Sequence, residues 1–195
     1  PANPLTWRSV VTGRGTTISA GTLVASTSSS ALGSGALTLG ASSGSANATL
    51  QVVTTGLTYN NAIVLSSGTS GTLTIGNTGT SISTTFSGGV TGTNNLVISE
   101  GATNGTITFS GTSINNTGTI TNSGSGSGTT TISAAVGSNV TGITESSSTS
   151  ALTISGAITP KSTGSTFTNS GTGTLTISGG ISGTGNVTFS NNSTG

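Results

Sequence analysis

The chain has 195 residues, of which 44 are Thr, 36 Ser, 33 Gly and 16 Asn, against three basic and two acidic residues and no Cys or His. This composition excludes disulfides, thiol chemistry and Cys- or His-based metal sites, and two carboxylates cannot build an acid-rich calcium cage, so no metal or cofactor is expected. A net charge of +1 leaves no electrostatic footprint for nucleic acid or an anionic membrane, and no apolar run reaches the length of a spanning helix.

In chain order, residues 1–14 (PANPLTWRSVVTGR) are the least repetitive and carry the only Trp. They are expected to cap the first coil or to serve as a donor strand. Leu5, Trp7 and Val10 form the candidate subunit interface, a setting in which Trp is enriched. A start at Pro1 rather than Met suggests a processed or excised segment. TGRGTT, residues 12–17, lacks the Lys and the strand-to-helix frame of a phosphate loop. Residues 15–195 read as one domain, because no Pro-rich or charged linker divides them.

Gly, Ser, Thr and Asn are weak helix formers, and no i, i+3, i+4 apolar stripe persists. Short alternating runs appear instead: TTISAGTLVAS and SGALTLGAS early on, then GTLTIG, NLVIS, GTITFS, ALTIS and GNVTFS. These are period-two strands bounded by Gly and Asn turns. From residue 52 the apolar positions fall into columns. Val52, Ile75, Ile98, Ile120, Ile143, Phe167 and Phe189 follow at steps of 22 to 24 residues. Ile63, Phe86, Phe109, Ile132, Ile154 and Ile177 form a second column, and Leu39 stands 24 residues before Ile63. Val90, Ile114, Val136, Ile158 and Ile181 form a third, four or five residues after the second, across small-residue corners such as SAA and SGG. The repeat predicts an all-β fold: a parallel β-solenoid with about 22–24 residues and three short strands per coil, in which each strand buries an aliphatic column. Roughly eight coils at about 4.8 Å would give a rod of roughly 40 Å.

The segments GTTISAGTLVASTSSSALGSGALTLGA, NNAIVLSSGTSGTLTI, FSGGVTGTNNLVIS and GTLTISGGISGTGNVTFS resemble the autotransporter-associated β-strand repeat of bacterial surface passengers. The resemblance implies a right-handed parallel β-helix on a bacterial cell surface or secreted from it. It transfers no catalytic residue.

One column is polar: Asn77, Glu100, Asn122, Glu145, Asn169 and Asn191, each two residues after the first column. Glu100 and Glu145 would stand two coils, about 9.6 Å, apart, near the spacing of an inverting glycosidase pair. The favoured reading is a turn ladder of Asn side chains in which Asn122 separates the two like charges, since the chain lacks the charged neighbours a catalytic site needs. Thr-x-Thr runs at 72–74, 106–108 and 174–176 suggest an ordered-water face, although these pairs do not recur in every coil.

The expected function is structural and non-enzymatic. The chain would be an extracellular subunit of a bacterial surface or biofilm-matrix fibre that assembles head to tail with itself, or an adhesin stalk. Column spacing asks for an apolar residue 10 to 12 positions after Phe189, which Leu5 of a following copy would supply. The alternative is a carbohydrate-binding or carbohydrate-processing β-helix meeting surface glycans; ice binding is third. So few titratable groups predict assembly insensitive to pH and salt.

Overall fold

The computed structural model describes residues 14–193 and the backbone of residues 5–7; Val10 of the candidate interface lies outside the described residues. Among the described residues there are nineteen strands and no helix, in three parallel sheets that form the walls of a β-solenoid of about eight coils. The first wall stacks β1 (Leu5–Trp7), β3 (Gly21–Ala25), β5 (Ala48–Val52), β8 (Leu73–Thr80), β11 (Leu96–Thr103), β13 (Gly118–Asn122), β15 (Val140–Glu145), β17 (Ser165–Asn169) and β19 (Val187–Asn191). The second wall stacks β6 (Leu57–Tyr59), β9 (Ser83–Phe86), β12 (Thr106–Phe109), β14 (Thr129–Ile132), β16 (Ala151–Ile154) and β18 (Leu175–Ile177). The third begins with β2 (Thr16–Ile18), β4 (Leu37–Leu39), β7 (Ile63–Leu65) and β10 (Val90–Gly92). It continues as single bridges through Ile114, Val136, Ile158 and Ile181, the third column of the sequence.

Alternation places the core. In β11, Leu96, Ile98, Glu100 and Ala102 are buried while Val97, Ser99 and Gly101 are half-buried, so a thin file of inward side chains is continuous along the stack. Each rung satisfies its backbone on the rungs above and below, which is why a chain only 29% hydrophobic can fold. Asn side chains fasten the turns between coils: Asn61 Nδ2 donates to the Gly33 and Gly35 carbonyls at 2.9 and 2.6 Å, and Asn94 Nδ2 to those of Ser66 and Thr69 at 3.0 and 2.8 Å. The small-residue corners are set by close approach. A Cβ on Gly156 would lie 2.0 Å from the Ala134 carbonyl oxygen, and one on Gly179 1.9 Å from that of Gly156.

The structure shifts the membership of two columns. Ile75 lies opposite Leu50, and Val52 opposite Asn77, so Val52 is not the rung before Ile75. Ile98 pairs with Ile75 on one side but with Asn122 on the other, and Leu96 rather than Ile98 faces Ile120. In the second wall Tyr59, not Ile63, precedes Phe86; Ile63 sits in the third wall between Leu37 and Val90, while Leu39 faces Ile18 and Leu65. A two-residue slip keeps every inward residue inward, because side chains alternate with period two. The early coils are also longer, with Tyr59 and Phe86 as direct partners 27 residues apart. All the core residues named from the sequence are buried except Ile177, partly buried, and Ile181 and Phe189, which are 39% and 63% exposed.

Candidate functional site

Asn77, Glu100, Asn122 and Glu145 of the polar column are buried inside the solenoid, Asn169 is half-buried and Asn191 exposed. Asn122, Glu145, Asn169 and Asn191 close strands of the first wall, while Asn77 and Glu100 lie within β8 and β11. The expected single ladder is two ladders. Asn77 pairs with Glu100 in one; Asn122, Glu145, Asn169 and Asn191 follow one another in the other. Between them, Asn122 faces Ile98, so it does not stand directly between the two carboxylates in the register.

Glu145 is built into a hydrogen-bond network. Its Oε2 accepts from Asn122 Nδ2 at 2.7 Å and its Oε1 from the Ser147 N–H at 2.6 Å. Asn122 also donates to Ser150 Oγ at 3.3 Å and accepts from the Thr130 hydroxyl at 2.8 Å, while the Ser147 hydroxyl donates to the Gly124 carbonyl. Glu100 has less support. The Ala102 N–H reaches its Oε1 at 3.2 Å, and its buried Oε2 has no hydrogen-bond partner. Desolvation pushes both carboxyls above the ordinary Glu value; Asn77 and the Ala102 and Gly128 N–H groups offset this in part at Glu100, and Asn122 and the Ser147 N–H do so at Glu145. Both buried acids therefore hold their protons more tightly than an unfolded chain would.

Ser147, Ser150, Thr130 and the glycines of Ser123–Gly128 complete this layer and were not singled out by column spacing. The visible signal was the alternation SGSGSG, which points Ser outward and Gly inward.

The outer face of the second wall is ordered. Thr58, Thr85, Thr108, Thr131, Thr153 and Thr176 are successive partners in six coils, flanked by Ser83, Thr106, Thr129 and Ala151. Thr does recur in one column; what varies is the second member of each Thr-x-Thr pair. Thr72–Thr74 belongs to the first wall instead, whose outer Thr column is broken at Val97.

The two ends of the first wall also differ. At one end, Leu5–Trp7 pairs in parallel with Leu23–Ala25, so within its own chain this segment is a first-wall rung rather than the second-wall strand that the spacing after Phe189 requires. At the other end, Phe189 and Ile181 are 63% and 39% exposed, and the Phe189 ring packs tilted against Phe167 from one side, centroids 5.6 Å apart. Among the described residues no group of His, Cys, Asp or Glu could hold a metal ion, and no helix is long and apolar enough to cross a membrane. Comparison with protein-family models, with curated proteins and with solved structures gives no match.

Proposed function

We propose that the chain is a structural, extracellular β-solenoid that stacks head to tail with further copies of itself, as a subunit of a bacterial surface or matrix fibre. What carries this reading is the last described rung: Phe189 and Ile181 present apolar area, and β19 and β18 offer unpaired strand edges. The first rung, β1, runs parallel in the same wall as β19, so a second copy placed head to tail continues that sheet without reversing it. Such a contact is heterologous and propagates into a filament. Electron microscopy of the purified chain, whole and lacking residues 1–12, tests it. Filaments from the whole chain that disappear on truncation are expected. Monomers at every concentration would overturn the fibre reading, and filaments from the truncated chain would remove the N-terminal segment from the contact.

A second reading rests on the six-coil Thr column. Its hydroxyl and methyl groups repeat at the strand spacing of about 4.8 Å on an uncharged face, a regular surface on which water can order as ice. Thermal hysteresis in the wild type that is lost in Thr108→Lys would support it; its absence in the wild type would end it. Glu100 and Glu145, on which the carbohydrate-processing alternative rests, are both buried and present no carboxylate to a sugar.

A further inference from the structure

Ser123–Gly128 wraps the Glu100 carboxyl. Ser123, Ser125 and Ser127 are exposed while Gly124, Gly126 and Gly128 are buried. The buried positions have no room for a side chain. A Cβ on Gly126 would lie 2.6 Å from Glu100 Oε2, and one on Gly128 2.6 Å from both the carboxyl carbon and Oε1. The segment is held by backbone bonds to the same strand: the Ser123 N–H to Ile98, the Gly126 N–H to Glu100 and the Gly128 N–H to Ala102, at 2.9, 3.0 and 3.2 Å. Among the described residues no cation faces the carboxyl. β11 packs against β8, β12, β13 and β14, and neither these strands nor Ser123–Gly128 carry any titratable side chain besides Glu100 itself. The other titratable member of the buried polar layer is Glu145, on β15, whose two oxygens already receive donors from Asn122 and Ser147.

We propose that Glu100 and the Ser123–Gly128 strap form a pH latch, closed around a neutral carboxylic acid and opened locally when that acid ionises. The reason is the missing partner. A neutral carboxyl can be buried with one oxygen unpaired at modest cost, whereas an anion there keeps an Oε2 without a hydrogen bond and has no counter-charge among the described residues, with only a partial offset from Asn77 and the Ala102 and Gly128 N–H groups. Its cheapest relief is water, and the strap whose glycines lie against the carboxyl is exposed along its three serines. For an acid held above its ordinary value, the closed state is fully stable below that value and weakens as pH rises through the window above it. The latch belongs to the single chain and does not depend on whether copies stack.

Native-state hydrogen exchange of residues 123–128 in the full chain, at about pH 5 and about pH 8 and corrected for intrinsic rates, reads the latch directly. Wild type should lose protection about tenfold or more between the two, because the closed state loses stability as Glu100 ionises. Glu100→Gln, which keeps a neutral side chain of the same shape, should show no such loss, while Glu145→Gln should follow wild type. Equal wild-type protection at both values, or the same loss in Glu100→Gln, would overturn the proposal. Should Glu100→Gln fail to fold, infrared spectroscopy of Glu145→Gln decides, since Glu100 is then the one side-chain carboxyl left. A carboxylic-acid band that persists in the folded chain to higher pH than in urea supports the latch; ionisation over the same pH range in both overturns it.

Discussion

At the scale of single residues, stability turns on a few buried polar groups whose partners are countable. Asn122 satisfies Glu145, Ser150 and Thr130 at once. Asn122→Ala leaves the Glu145 Oε2 and the Thr130 hydroxyl without those partners in a dry site, and should cost about 2–4 kcal/mol by urea denaturation. Tyr59 makes the opposite case. Its hydroxyl is buried without a hydrogen-bond partner, and burial pushes its pKa up to about 12. Tyr59→Phe removes that unpaired group and keeps the ring stacked on Phe86 at 5.6 Å, so stability should change by less than about 1 kcal/mol, or rise. The sequence showed that polar residues recur beside the apolar column. It did not show that they face inward, because an Asn or Glu at a strand end reads equally well as the first residue of a turn.

At the scale of strands, periodicity made the walls legible and left the register open. The third column was recovered rung for rung, from Val90 through Ile114, Val136 and Ile158 to Ile181, because the SAA and SGG corners pin it. The first column was read two residues off at Ile98–Ile120, since Leu96 and Ile98 are both inward and both aliphatic and the alternation cannot choose between them. Space chose instead: a Cβ on Gly124 would lie 2.0 Å from the Glu100 carbonyl oxygen, a contact only Gly permits, and no apolar pattern reports it. Ile63 was assigned to the wrong wall for a related reason. The early coils are longer than the later ones, so a fixed step lands one wall away. The aromatic file Tyr59–Phe86–Phe109 fixes the true register with ring centroids 5.6 and 5.4 Å apart. Phe109→Ala should therefore cost about 3–5 kcal/mol in a thermal or urea melt, and Phe109→Leu much less.

At the scale of the whole molecule, the solenoid is a one-dimensional stack in which each coil leans on its neighbours, so the rungs at its ends carry whatever the middle does not need. Charge plays almost no part: with three basic and two acidic residues, and both acids buried, contacts between copies should be indifferent to salt. The pH response should come from within the coil, through Glu100, and not from the ends. What the C-terminal end offers is apolar area and strand edge, with Phe189 63% exposed. Sedimentation velocity over a range of concentrations, comparing wild type with Phe189→Asp, tests head-to-tail stacking most directly. Stacking predicts wild-type species that lengthen with concentration and vary little with salt, and a Phe189→Asp chain that stays monomeric with an unchanged β signature. A wild type that remains monomeric throughout, or a Phe189→Asp chain that assembles as well as wild type, would contradict it.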